Sequence, residues 1–203
     1  MYYTLQGEGG QSGRPAVFLR FSGCNLWSGR EEDRHKAICQ FCDTNFWGTD
    51  GENGGKYPTP QSVVDKAIQL FPYGATNKYV VCTGGEPMLQ LDRALVQAFH
   101  EQGFEVGIET NGTIAIEFDL DWICVSPKEN TTIKQQRGDE LKIVYPQGNM
   151  DPGEWESLDF KYFYLSPMDN EHTPENMQKC VEYCLDNPKW RLSLQTHKIL
   201  DIK

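Results

Sequence analysis

The sequence predicts an α/β fold, a partial TIM-like barrel of parallel strands with only about three helices, carried by one domain over residues 1–203. Short apolar, β-favouring runs recur at residues 16–21, 79–82, 106–108, 122–125, 141–145, 163–165 and 190–194. Nearly every run ends in Gly, Ser, Thr, Asn, carboxylate or basic residues, and in a parallel barrel such ends gather on one face, where active sites lie. Only three segments carry helical periodicity, and the connections after Ile108 and Val125 lack one, so a closed eight-unit barrel does not fit.

The composition, 38% hydrophobic and 24% charged over 203 residues, is that of a soluble globular domain. Twenty-nine acidic against 19 basic residues give a net charge of -10, and no Lys/Arg-rich run offsets it. Nucleic acid and anionic membranes are therefore unfavourable partners, and no apolar stretch of about 18 residues is present to span a bilayer. Seven cysteines without an apolar signal segment indicate a reducing compartment, the cytoplasm, where thiols stay free and clustered cysteines read as metal ligands.

Tyr2-Tyr3-Thr4-Leu5 reads as a strand, expected to be cut short, running into the Gly-rich loop Gln6-Gly7-Glu8-Gly9-Gly10. Arg20 interrupts the apolar run 16–21 near its end, and a charge there must reach water, a partner or a ligand. Cys24, Cys39 and Cys42 follow, with fourteen residues between the first two and two between the last. Three thiolates are one short of a closed zinc or iron-sulfur site, which suggests a metal centre with one open position. The charged insertion 28–35 reads as solvated, with His35 a surface residue rather than a fourth ligand. Asp43 and Thr44 place hard oxygen donors beside the thiols, and oxygen suits magnesium better than iron.

Thr59-Pro60 has the N-cap and first-turn proline of a helix start, and Val63, Val64, Ala67, Ile68 and Phe71 recur at helical spacing up to Pro72. The strand 79–82 empties into Thr83-Gly84-Gly85-Glu86-Pro87, where paired glycines let a ligand approach the backbone beside Glu86. Leu91, Leu95, Val96 and Phe99 define a second helix closed by Gly103. Thr173-Pro174 is expected to cap a third, carrying Met177, Cys180, Val181, Cys184 and Leu185. Cys82, Cys124, Cys180 and Cys184 sit in apolar patterns and read as core or near-core thiols.

The three cysteines, Phe41 before the last of them and the Gly84-Gly85-Glu86-Pro87 turn resemble radical S-adenosylmethionine enzymes. The superfamily's usual first gap is three residues, and the gap of fourteen resembles the variant of the 7-carboxy-7-deazaguanine synthase family of queuosine biosynthesis. Leu5-Gln6-Gly7-Glu8-Gly9, Glu109-Thr110-Asn111-Gly112, Ser126-Pro127-Lys128 and Gln195-Thr196-His197-Lys198 extend the resemblance over essentially the whole chain. It implies a lyase that converts 6-carboxy-5,6,7,8-tetrahydropterin to 7-carboxy-7-deazaguanine with loss of ammonia.

The resemblance further implies that Cys24, Cys39 and Cys42 hold a 4Fe-4S cluster whose open iron binds S-adenosylmethionine, which is regenerated. The cofactor's site would comprise Phe41, Asp43, Gly85, Glu86, Ser126, Pro127, Lys128 and the turn Ser166, Pro167, Met168 and Asp169. Leu5, Gln6, Gly7, Glu8, Arg20, Thr83, Glu109, His197 and the terminal carboxylate of Lys203 would meet the substrate. Thr44 is expected to help hold a magnesium ion completed by substrate oxygens and water, the alternative being that it caps the turn after Cys42. A flavodoxin or ferredoxin would supply electrons, and two chains would form a homodimer. Two other readings use the same cysteines: an activase drawing hydrogen from a glycine of a partner protein, and a non-catalytic zinc or iron-sulfur module.

Overall fold

A computed structural model describes residues 1–203. Eight strands form one sheet in sequence order: β1 (Tyr2–Leu5), β2 (Pro15–Phe21), β3 (Lys78–Gly84), β4 (Phe104–Thr110), β5 (Trp122–Val125), β6 (Arg137–Tyr145), β7 (Asp159–Pro167) and β8 (Trp190–Leu192). From β2 to β8 every neighbouring pair is parallel. The sheet is open, so the expected partial barrel is the fold observed. One strand departs from it: β1 runs antiparallel to β2, Tyr2 opposite Phe18 and Leu5 opposite Pro15. The link between them is a short glycine-rich turn, too short for the crossover a parallel pair needs.

The helices are α1 (Pro60–Leu70), α2 (Arg93–Glu101), α3 (Thr173–Asp186) and a single turn, α4 (Thr196–Ile199). Thr59 starts α1 as a capping box with Ser62, each side chain bonded to the other's backbone N–H. Asp92 caps α2 through the Leu95 N–H. Thr173 does not cap α3. Its N-cap is His172, without a side-chain bond, while the Thr173 hydroxyl bonds to Asp169 and to the Asn170 carbonyl. The last strand is also shorter than the apolar run 190–194 suggests. Beyond Leu192 the chain turns, and Thr196 bonds through both its N–H and its hydroxyl to the Gly7 carbonyl, starting α4 where an extended run was expected.

Strand alternation sorts the side chains. Val17, Leu19, Val80, Cys82, Val106 and Ile108 face α1 and α2 in one core with Val64, Ala67, Val96 and Phe99. Val125, Leu141, Ile143, Phe163 and Leu165 face α3 in a second, with Cys180 and Trp190. Burial pushes the thiols of Cys82 and Cys180 up to about 12, as inert core cysteines require. The intervening residues point to the concave side, where Ala16, Tyr79 and Val81 form a small third cluster. Polar interruptions such as Arg20, Thr83, Glu109 and Ser166 are thus in phase with the interior of the barrel.

Phe99 is fully buried and meets Phe104 edge-on at 5.3 Å, joining α2 to β4. Phe99→Ala is expected to cost about 3–5 kcal/mol of stability, read as a lower urea midpoint with an unchanged slope.

Candidate active site

The concave face opens as a cavity of about 480 Å³ at the carboxyl ends of the strands. Cys24, Cys39 and Cys42 all line it, as free thiols. Close backbone packing positions Cys24. The Gly85 N–H donates to the Phe21 carbonyl at 3.0 Å and the Glu86 N–H to the Gly23 carbonyl at 2.9 Å. A Cβ on Gly84 would lie 2.2 Å from the Phe21 carbonyl oxygen, and one on Gly85 would lie 2.0 Å from that of Gly23. The paired glycines therefore serve this contact between two chain segments, and Gly85 also lines the cavity. Burial pushes the thiols of Cys39 and Cys42 up, so a metal binding there must displace their protons. Three soft thiolates and no fourth from the chain fit an iron-sulfur cluster with one open iron.

Phe41, Asp43, Thr44, Ser126, Lys128 and, at the end of β7, Ser166 to Asp169 line the cavity with the thiols. Lys128 donates to the Ser126 carbonyl at 2.8 Å and its hydroxyl at 2.7 Å, and its ammonium lies 5.9 Å from the Phe41 ring centre. Lys198 of α4 ties Asp43 at 2.7 Å to Asp169 across the mouth.

Two residues expected at the cofactor do not reach the cavity. Glu86 is fully buried beneath it, accepting from the Met88 N–H at 3.0 Å, the Thr110 hydroxyl at 2.7 Å and the Asn111 N–H at 2.8 Å. Burial raises its carboxyl above the usual range and the three donors pull it back. With these donors the Glu86 carboxylate braces β3 against the end of β4. Pro127 is buried as well, its carbonyl accepting from the Gln147 amide. Both stand in the expected motifs, but motif position does not say which way a side chain turns.

The same cavity is lined by Leu5, Gln6, Gly7, Glu8, Arg20, Thr83, Glu109, His197 and Lys203. Arg20 donates to the Tyr2 hydroxyl at 2.8 Å. His197 belongs to α4 and lies against Gly7, where a Cβ would meet its ring at 2.1 Å. The main-chain oxygen of Lys203 accepts from the Thr4 hydroxyl at 2.9 Å, and its ammonium pairs with Glu52.

Sequence reading missed the residue that joins two of these, Glu8 and Glu109. Lys142 of β6 lines the cavity with its side chain only 6% exposed, and its ammonium reaches Glu8 at 2.7 Å and Glu109 at 3.0 Å. Gln6 completes Glu109 at 3.1 Å and Gln195 completes Glu8 at 3.0 Å. Burial lowers the ammonium's affinity for its proton, but the carboxylates of Glu109 and Glu8 override this and raise it well above the usual lysine range. Burial likewise raises the Glu8 carboxyl, and Lys142, Gln195 and His197 more than reverse this, taking it to about 2. The signal was present as a lone lysine between Leu141 and Ile143, in phase with the interior. Glu109, Cys124 and Glu140 also offer ligand atoms within 4.8 Å of one another, but Lys142 already supplies a cation to Glu109 there.

No family model matches the chain. It is 54% identical over 202 residues to the 7-carboxy-7-deazaguanine synthase of Burkholderia multivorans, covering 100% of this chain and 96% of that protein. The chain belongs to the 7-carboxy-7-deazaguanine synthase family. The family member of Caulobacter vibrioides is 54% identical over 202 residues, and that of Nitratidesulfovibrio vulgaris 48% over 208, each covering 100% of this chain and 96% of the relative. Among solved structures, the crystal structure of QueE from Escherichia coli matches 96% of this chain and 91% of its own with a TM-score of 0.68. At 24% identity that match supports the family's fold alone.

Removing the Lys142 ammonium should leave Glu8 and Glu109 unpaired in the interior. Lys142→Met is expected to cost about 3–5 kcal/mol at pH 7. In the native chain Glu8, with its carboxyl held down, contributes stability above pH 4.5 that is lost as pH falls toward about 2. In the variant Gln195 and His197 remain, but burial, the largest influence, is no longer offset by the Lys142 charge and hydrogen bond, so the carboxyl rises and the deficit should shrink between pH 7 and pH 4.5. Urea midpoints at the two pH values check the sign.

Proposed function

We propose that the chain is a radical S-adenosylmethionine lyase that converts 6-carboxy-5,6,7,8-tetrahydropterin to 7-carboxy-7-deazaguanine with loss of ammonia. The observation that carries this reading is one cavity lined by three free cysteines together with Arg20, Glu8, Glu109 and His197. The chain is also about half identical to proteins named for that synthesis.

Cys24, Cys39 and Cys42 would hold the 4Fe-4S cluster. When bound, the cluster and S-adenosylmethionine supply the radical that abstracts a substrate hydrogen. The chain's own residues position the reactants and exclude water. Phe41, Ser126, Lys128 and the Ser166–Asp169 turn form the cofactor's side, and Thr44 contributes an oxygen to magnesium. Arg20 presents a planar fork suited to the pterin carboxylate, with its orientation held by Tyr2. Glu8 and Glu109 accept from the amino and ring N–H groups of the pterin, and Lys142 pairs with both from within the barrel. Electrons come from a flavodoxin or ferredoxin, and the working unit is a cytoplasmic homodimer. The concave, residue-lined cavity suits a small molecule better than the glycine of a partner protein.

Anaerobic incubation of the iron-reconstituted chain with S-adenosylmethionine, reductant, magnesium and the pterin should yield the carboxylated deazaguanine by mass spectrometry. Cys39→Ala should lose both cluster iron and product. One zinc per native chain, or full iron content and turnover in the variant, would overturn the reading.

A further inference from the structure

Three different devices hold the three cysteines. Cys24 follows Gly23, whose carbonyl is tied to the Glu86 N–H, so the β2–β3 pairing sets it. Cys39 donates its N–H to the Leu26 carbonyl at 3.4 Å, beside the Ile38 N–H at 3.0 Å on the same oxygen, which closes the base of the insertion. For the stretch leading to Cys42, one side chain holds the backbone. Arg34 Nη1 donates to the Gln40 carbonyl at 2.8 Å and to the Cys42 carbonyl at 3.1 Å.

The rest of that guanidinium is engaged as well. Its Nε and Nη2 fork onto Glu31 at 2.5 and 2.8 Å, and its carbon lies 4.1 Å from the ring centre of Trp27. Trp27 is buried, packs edge-on against Phe46 at 5.4 Å and donates its indole N–H to the Arg30 carbonyl at 3.1 Å. The charged insertion, expected to be passive, is thus a 3-10 turn over Glu31–Lys36 that carries Arg34 to the metal-binding loop. The Glu31 pair alone would count for little, since Glu31 is exposed and surface pairs are weak. What matters is that a single planar fork is stacked on an aromatic ring and bound to a carboxylate and two carbonyls, which an ammonium cannot reproduce.

We propose that Arg34 is the positioning residue of the metal-binding loop, its guanidinium fixing the Gln40–Cys42 backbone so that Cys42 meets the cluster already oriented. The proposal rests on the reading that the three cysteines hold an iron-sulfur cluster. Groups that orient ligands from behind typically change metal affinity by about 10–100-fold when removed.

The test is the rate at which a chelator strips iron from anaerobically reconstituted protein, together with the electron paramagnetic resonance spectrum of the reduced cluster before and after S-adenosylmethionine is added. Arg34→Met should release iron about tenfold faster or more and broaden the spectrum. Its metal-free melting temperature should stay near native, because the 31–36 turn buries no residue. Arg34→Lys should behave like Arg34→Met, and Glu31→Gln should shift release in the same direction by less. Native release rates in Arg34→Met or in Arg34→Lys would overturn the proposal. Should Arg34→Met not fold, native release in Glu31→Gln would do so. A native chain that takes up no iron would overturn the cluster reading, and this proposal with it.

Discussion

The structure depends on the close approach of two backbone segments at the carboxyl ends of β2 and β3. Phe21 pairs with Gly84 in parallel register, and two further hydrogen bonds extend the pairing through Gly85 and Glu86. Side chains at the two glycines would break it, since each Cβ would sit within about 2 Å of a carbonyl oxygen. The same contact carries Cys24 to the cavity and exposes Gly85 there. Glu86 locks it from below through the end of β4. Strand pairing, thiol placement and the floor of the cavity therefore rest on one few-residue junction.

Charge inside this barrel is organised against the trend of the whole chain. A protein of net charge -10 places Lys142 in its interior and surrounds it with carboxylates. Arg14 adds a second cation nearby, 4.0 Å from the centre of the buried Tyr79 ring. Two of those carboxylates, Glu8 and Glu109, line the cavity, so the ion cluster that fills the concave face also shapes its chemistry. The barrel interior around the cavity is in this respect polar, with one small apolar cluster, while the two larger apolar cores sit outside the sheet against the helices.

Much of this was legible in the sequence because it depends on local pattern. Apolar runs located the strands, and helical spacing with Thr59-Pro60 at one helix start and Gly103 at another helix end located α1 and α2. Motif order at the strand ends placed Arg20, Thr83, Glu109, Ser126, Lys128 and Ser166 on one rim. What depended on side-chain direction or tertiary closure was harder. Glu86 stands in the right motif but turns inward, because three donors wait beneath it. Lys142 is one charge inside a strand, and its meaning appears only when Glu8, far off in sequence, folds against it. Arg34 looked like one more solvated charge, since its partners are backbone carbonyls, which composition does not register.

The open side of the barrel is bridged by residues from the two ends of the described chain. The Gly9 N–H bonds the Ser193 hydroxyl, Thr196 bonds the Gly7 carbonyl, and Gln195 bonds Glu8, across separations of 184 to 189 residues. Contacts so distant in sequence close late, because the entropy of the intervening loop must be overcome first. During synthesis, strands β1 to β7 can pair as they leave the ribosome, but the wall carrying Glu8 cannot be completed until residues 193–198 have emerged. Until then Glu8 can meet Lys142 but lacks the Gln195 amide and the His197 ring, so the order of the chain makes this wall of the cavity the last to be completed.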